Sequence, residues 1–392
     1  MKIAYFVHNL GDPAVGKRVA MLLAGGAQIT LIGFHRDATY PAAPESVRVI
    51  DLGRTYDARF AHRIGKVIEA ALKSGGLKEA LNGADVILAR NLEMLCVASA
   101  ARRGAPGATL VYECLDVHRL MLTDGAAGQA LRFLERRLMQ GASLLIVSSP
   151  AFITRYFEPR QGLGARLSTP WRLVENKVFP PPPSEGALAR PLAKRPWKIG
   201  WFGAIRCRRS LDILSALAER RPDLVEIVIR GRPSYTEFDD FDAQTRRTPA
   251  LRFEGAYRPD QLAALYGGVH FTWAFDYFEA GANSDWLLPN RVYEGGLFGS
   301  IPLALASVET GAWLKAHGLG VLLNDPSELE AVLEAMTAER YAELAARARS
   351  APQSLFVASV EDCRALASAL PVEPRQMVRG FEAVAPIETG AG

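Results

Sequence analysis

The chain has 392 residues, nearly half of them hydrophobic and 22% charged, which excludes a disordered chain and favours two folded cores over one. No apolar run approaches the roughly 20 residues that cross a bilayer, and the opening Met1–His8 is too short for a signal-peptide core. The four cysteines, Cys96, Cys114, Cys207 and Cys363, form no CxxC pair, which argues against structural zinc and for reduced thiols in a cytosol.

The net charge of +4 is unevenly placed: residues 1–177 hold 23 Lys and Arg against 15 Asp and Glu, and the remainder 23 against 27. A basic half beside an acidic one fits either scatter of surface charge or an anionic partner for the first half, such as a membrane surface, a polyanion or a phosphorylated substrate.

Along the chain, short apolar runs alternate with segments of helical spacing. Ile3–His8, Gln28–Phe34, Val47–Leu52, Asp85–Arg90, Thr109–Leu115, Leu144–Ser149 and Arg172–Glu175 read as strands. Such alternation predicts βα units on a mostly parallel sheet. Between them, residues 60–72 show apolar residues at helical spacing, with Arg59, Arg63 and Lys66 on the other face. That pattern fits a core-packed helix with a solvated face, and also a basic amphipathic helix on anionic lipid. The proline-rich stretch from Phe179 to Pro196 cannot be helix or central strand and reads as a spacer. The rhythm then restarts with Lys198–Phe202, Val225–Arg230, Leu251–Glu254, His270–Ala274, Ile301–Ala306 and Gly320–Leu323. The expectation is two Rossmann-like α/β domains, residues 1–178 and 198–365, with a linker over 179–197. A tail over 366–392 would pack back on the first domain. A cleft faces the strand C-termini of both sheets, where ligands of open α/β sheets bind.

The loop Leu10–Arg18 has GxxxxGK spacing, but Arg18 stands where a P-loop needs Ser or Thr for Mg²⁺. Pro13 also removes a backbone donor. What remains is a glycine-containing turn at a helix start, with Gly11 and Gly16 placed to present N–H groups to an anion. After strand 198–202, Gly203 is followed by Arg206, Arg208 and Arg209, and Ser210 looks like a helix N-cap. Three cations at the positive end of a helix repel one another unless an anion sits there, and arginine can grip a diphosphate bidentately. Arg209 is the first choice and Arg206 the second. Glu294, at the start of an apolar helix, either caps it or accepts the ribose hydroxyls of a nucleotide. Asn290 is placed to read base or ribose. Asp116 and His118 follow the strand ending at Leu115 and overhang the cleft, where either can take a proton from an attacking hydroxyl. The spacing of Asp240 and Asp242 is that of a DxD metal motif, but in a polar loop it reads as chance, and no metal site is expected.

At these residues the chain resembles the glycosyltransferases of the GT-B fold, most closely the "glycosyltransferase group 1" family that includes bacterial exopolysaccharide enzymes. The resemblance spans nearly the whole chain and is firmest from Ile199 to Pro302. It puts Arg209 on the family's lysine, Ala204 on its arginine and Glu294 on the second of two signature glutamates. Trp286 falls on the first, with only Asp285 and Glu279 nearby. Val174–Val178 looks like the family's domain-junction segment. Leu115-Asp116 stands where many members carry His-Asp, with His118 displaced by two residues. The resemblance implies metal-independent transfer of a sugar, without cofactor, from a nucleotide-diphospho-sugar, a UDP-sugar first among them, to a saccharide or lipid-linked acceptor. Retention is the family's usual course, and Asp116 as base leaves inversion open. A cytoplasmic protein, peripheral at the inner face of the plasma membrane through its basic half, is the expected setting. Nucleic acid is not expected as a partner. A nucleotide-sugar epimerase of the same fold and a non-catalytic nucleotide-sugar-binding protein are the alternatives.

Overall fold

The computed structural model describes residues 1–37, 42–56, 60–181 and 190–370. The first sheet takes β1 (Lys2–Val7), β2 (Gln28–His35), β3 (Arg48–Arg54), β4 (Val86–Arg90), β5 (Thr109–Cys114), β6 (Leu144–Val147) and β7 (Trp171–Leu173) in the order β3-β2-β1-β4-β5-β6-β7, all parallel. The second takes β8 (Trp197–Ile205), β9 (Val225–Pro233), β10 (Leu251–Phe253), β11 (Phe271–Trp273), β12 (Ile301–Leu305) and β13 (Val321–Leu323) in the order β10-β9-β8-β11-β12-β13, again all parallel. Chain order reverses between β1 and β4 and between β8 and β11, so each sheet has a switch-point crevice at its strand C-termini. The two Rossmann-like α/β units expected from the sequence are present, and every expected strand is found.

The helices around the two sheets include α1 (Pro13–Ala24), α2 (Phe60–Leu72), α3 (Asn91–Ala101), α4 (Ala126–Met139), α5 (Arg208–Arg220), α6 (Asn290–Leu297) and α7 (Val360–Ala369). Both faces of the first sheet are covered at its inner strands, which is why β1, β4, β5 and β6 read as nearly continuous apolar runs. On β1, Ile3, Tyr5 and Val7 face Val15, Val19 and Leu22 of α1, while Ala4 and Phe6 face Met94, Leu95 and Ala98 of α3. On β8, Trp197, Ile199 and Trp201 meet Leu211, Leu214 and Leu217 of α5, and Phe202 meets Tyr266 and Phe298 on the other side.

The chain crosses between the domains twice. Val178 donates its N–H to Phe356 O (2.8 Å) and accepts from Ala358 N–H (3.0 Å), so the outgoing and returning segments pair. The whole of α7 then docks on α1, Cys363 and Leu366 joining the core around Leu22. The return therefore begins near Ala358, ahead of the expected tail at 366. The reason is packing: a Cβ on Gly25 would lie 2.5 Å from Cys363 O, so only a glycine lets the two helices approach this closely. Residues 371–392, and 182–189 of the expected linker, lie outside the described residues, as does Arg59. Arg190 and Leu192 lie against the second domain, through Gly299 O and the His270 ring.

Two local readings change. Strand β8 runs on to Ile205 through Gly203, whose φ of +114° opposes Gly231 at +145° on β9. A side chain on Gly231 would meet Gly203 O at 1.8 Å, so this strand end depends on glycine. Helix α5 begins at Arg208 and is capped by the Cys207 thiol, which accepts Ser210 N–H at 3.4 Å. Ser210 is fully buried within the first turn and is not the cap. On α2, Val67 and Ala70 pack on the core while Ile64, Ile68 and Leu72 are exposed, so the apolar stripe is only partly a core face.

Candidate functional site

Beneath the first crevice lies a buried ionic cluster. Glu113, near the end of β5, accepts from Arg18 Nε (2.6 Å), Arg90 Nε (2.9 Å) and Tyr5 OH (2.5 Å). Burial alone would raise the Glu113 pKa, but Arg90, Arg18 and the hydroxyl pull it down to about 2. Arg18, which stands where a P-loop needs its hydroxyl, is thus committed to the fold. The amides of the loop before it are also used. Gly11 N–H bonds Asn9 Oδ1 (3.2 Å), Ala14 N–H bonds Asp12 Oδ1 (2.9 Å), and Val15 and Gly16 N–H both bond Asp12 O. The anion cradle expected of Gly11 and Gly16 has no free donor here, because the N-cap Asp12 occupies the helix start and adds its own negative charge.

What the loop does supply is Lys17. Its Nζ crosses the cleft to Asn290 Oδ1 (3.1 Å) and bonds Asn176 O (2.8 Å) in the domain junction. Burial lowers its pKa to about 8 against the pull of nearby Glu294. Glu294 is half-buried on the first turns of α6, and Tyr266 donates a hydrogen bond to its Oε2 at 2.8 Å. Burial raises the Glu294 pKa, opposed by Tyr266, Lys17 and Arg291. Arg291 itself hydrogen-bonds Trp273 O at the end of β11 (3.2 Å). Tyr257, whose own pKa burial and Glu294 push up to about 12, places its OH 4.0 Å from a Cβ built on Gly203. Asn290, Glu294 and Gly203 therefore surround one region, with Lys17 reaching in from the opposite domain.

The three arginines after β8 separate. Arg208 forks onto Asp239 (2.6 and 2.8 Å) on the outer surface. Arg206 lies 4.6 Å over the Phe278 ring and 3.9 Å from Asp276. Arg209 lies 4.4 Å over the Tyr277 ring. The segment after β11 thus forms an aromatic shelf under both guanidiniums. Asp116 lies within electrostatic reach of Arg206. Its carboxyl is open to solvent yet crowded by protein on most sides, as fits a residue on a cleft floor. That crowding, with Glu279 beside it, raises its pKa to about 6 despite Arg206. His118 is a cap: its Nδ1 accepts Leu120 N–H at 3.3 Å at the start of a short helix, and burial lowers its pKa. The imidazole, and not Asp116, takes the capping role, which leaves the carboxylate free. Asp240 likewise caps a helix, through Ala243 N–H (2.9 Å).

Asn283 was not singled out from sequence, and Trp286 and Glu175 were read only through the resemblance. Asn283 hydrogen-bonds both the N–H (3.0 Å) and C=O (2.7 Å) of Val117 across the domains. Trp286 sets its ring edge-on to Phe152 and its carbonyl on the Ser149 hydroxyl. Glu175, beyond β7, accepts from Tyr293 OH (3.0 Å) and Trp313 Nε1 (3.1 Å). Lys17 was visible in its motif, but nothing in the sequence places residue 17 beside 290. A 450 Å³ depression lined by Cys96, Ser99, Arg102 and Arg137 lies at the opposite ends of α3 and α4.

No family model matches the chain. It is 47% identical over 378 residues to the succinoglycan biosynthesis protein ExoL of Rhizobium meliloti (strain 1021), covering 93% of this chain and 92% of that one. Among solved structures, sucrose-phosphate synthase from Thermosynechococcus elongatus superposes with a TM-score of 0.68 at 15% identity, covering 94% of this chain and 98% of that one. The E. coli trehalose-6-phosphate protein bound with UDP-2-fluoro glucose gives 0.66 at 10%, covering 95% and 99%. WaaG, a glycosyltransferase involved in lipopolysaccharide biosynthesis, gives 0.55 at 13%, covering 94% and 97%. The chain belongs to the family of the succinoglycan biosynthesis protein ExoL and has the GT-B fold of these solved structures.

Proposed function

We propose that the protein transfers a sugar from a UDP-sugar to a saccharide acceptor during exopolysaccharide synthesis. The observation that carries this reading is the cleft itself, where cations and carboxylates from both domains meet: Lys17 with Asn290 and Glu294, and Arg206 with Asp116. Arg206 and Arg209 bind the diphosphate and stabilise the charge that develops on it as the sugar leaves. Arginines held over aromatic rings keep their hydrogen-bonding edges free for phosphate oxygens. Glu294 accepts the ribose hydroxyls, with Tyr266 fixing one of its oxygens. Asp116, ionised above about pH 6, takes the proton of the acceptor hydroxyl. Closure of the cleft excludes water that would otherwise hydrolyse the donor. Calorimetric titration with UDP, GDP and ADP tests the donor: UDP is expected to bind at least about tenfold tighter than the others, and equal affinity for all three would refute the uridine assignment.

The acceptor in this reading is lipid-linked, and the first domain meets an anionic membrane. Two helices of one layer, α2 and α4, support this by leaving apolar side chains in water: Ile64, Ile68 and Leu72 on one, Phe133 and Leu134 on the other. Arg63, Lys66 and Lys73 flank the first stripe and Arg137 the second. Apolar stripes edged by cations match lipid tails beneath anionic headgroups. Among the described residues no helix is long and apolar enough to cross a membrane. Flotation with vesicles containing phosphatidylglycerol is expected to carry the protein up, and I68E/L72E to abolish this; flotation unchanged by that pair would refute the surface.

A further inference from the structure

Trp286 stands where the group 1 pattern has its first carboxylate, and here that position is spent on joining the domains, its ring against Phe152 and its carbonyl on Ser149. Seven residues earlier, Glu279 is held in place by two neighbours. Its N–H bonds Ser284 Oγ (2.9 Å), and its Oε2 accepts from Asn283 Nδ2 (2.6 Å). The second carboxylate oxygen has no hydrogen-bond partner among the described residues.

Asn283 is 4% exposed and fully used. Its amide oxygen takes Val117 N–H and its amide nitrogen gives one hydrogen to Val117 O, as a neighbouring strand would. The other hydrogen goes to Glu279. One side-chain amide thus ties the main chain directly after Asp116 in the first domain to a carboxylate in the second. An aspartate could not replace it, since it would lose both donors and set a like charge against Glu279.

We propose that Asn283 is a positioning residue that assembles a two-carboxylate site when the domains close, bringing Asp116 of one domain beside Glu279 of the other, with the open oxygen of Glu279 holding the hydroxyls of the transferred sugar. The inference rests on the donor reading above. When the cleft opens, the Asn283–Val117 bonds part and the two carboxylates separate, so the base is tuned only in the closed form. The charged and titratable groups facing Asp116 are Glu279 and Arg206 from the second domain, Glu93 from α3, Arg63 from α2 and His118 from its own loop. Removing Glu279 removes the nearest like charge; Arg206 and Arg63 then dominate and favour the ionised form.

The test uses the full chain and begins without substrate. The Asp116 carboxyl is titrated by ¹³C NMR, its resonance assigned by loss in D116N. The midpoint is expected near 6 in the wild type and to fall by roughly one pH unit in E279Q and in N283A. Of UDP-glucose, UDP-galactose and UDP-glucuronate, the one the wild type binds best is expected to weaken at least about fivefold on E279Q, while UDP stays within about twofold. A midpoint unmoved in both variants, or equal losses for UDP and UDP-sugar, overturns the inference and leaves the donor site standing. Failure of the wild type to bind UDP overturns the donor reading itself, and the role of Glu279 with it.

Discussion

Arg209 and Glu294 are assigned to opposite ends of one ligand, so truncating each should have a distinct signature. Arg209 is exposed, stacks on Tyr277 and makes no ion pair among the described residues. Its charge is therefore available, and a charge-assisted hydrogen bond to phosphate contributes about 1.5–3 kcal/mol, near the lower end at an exposed site. Arg209→Ala should weaken UDP about tenfold and leave uridine within about twofold. Glu294 is half-buried, with one oxygen already taken by Tyr266. Its remaining acceptor works in a drier setting, so Glu294→Gln should cost about 2–3 kcal/mol, or roughly 30- to 150-fold, for uridine and UDP alike. Calorimetry for UDP and competition NMR for uridine read the two ligands. If Arg209→Ala weakens uridine as much as UDP, Arg209 is not a phosphate ligand; if Glu294→Gln spares uridine, the carboxylate is not on the ribose.

Transfer should fall as pH drops through about 6, where the Asp116 carboxyl takes up its proton, and D116N should abolish transfer with UDP affinity intact; a flat acid limb would acquit Asp116 as base. Glu113→Gln leaves Arg18 and Arg90 buried with one neutral partner, which should cost about 3–5 kcal/mol of first-domain stability, read as an early calorimetric transition with the second domain unmoved. Because the folded-state pKa of Glu113 is depressed to about 2 from 4.5, its contribution is present above about 4.5 and lost only as pH falls through about 2; a wild-type stability drop between pH 6 and 5 would therefore have another source.

The alternation of apolar runs was enough to read both sheets, because inner parallel strands buried on two faces carry few polar residues to disguise them. Strand ends were harder. Phe202 looked like the end of β8 since Gly203 follows it, yet that glycine continues the strand in a backbone form open only to glycine. Ser210 has the hydroxyl of a good N-cap, yet the weaker thiol acceptor of Cys207 takes that place. In the site, Arg206, Asn290 and Glu294 were legible because each follows a strand or opens a helix. Asn283 and the reach of Lys17 were not, because their partners lie 166 and 273 residues away, and only the pairing of the two domains brings them together.

That pairing is held by few bonds. Among the described residues, besides the crossing strands, it uses Lys17 with Asn290, Asn283 with Val117, Ser149 with Trp286, Glu175 with Tyr293 and Trp313, and the Arg232–Asp37 ion pair. Each contributes about 1 kcal/mol net, since water replaces it on opening, so the closed form is favoured by only a small margin, as for other polar domain contacts. Against that margin, closure carries Lys17 out of water to a place beside Asn290 and near Glu294. Its desolvation, seen in a pKa lowered to about 8, opposes closure, and the attraction of Glu294 offsets part of that cost. A diphosphate bound beside Lys17 would add to the offset, and a ligand shifts such an equilibrium only through its differential affinity for the two states. A donor that touches Lys17 as well as Arg206 and Arg209 would therefore raise the closed population above that of the free protein, so that Asp116 spends more time beside its partner carboxylate when there is a sugar to transfer.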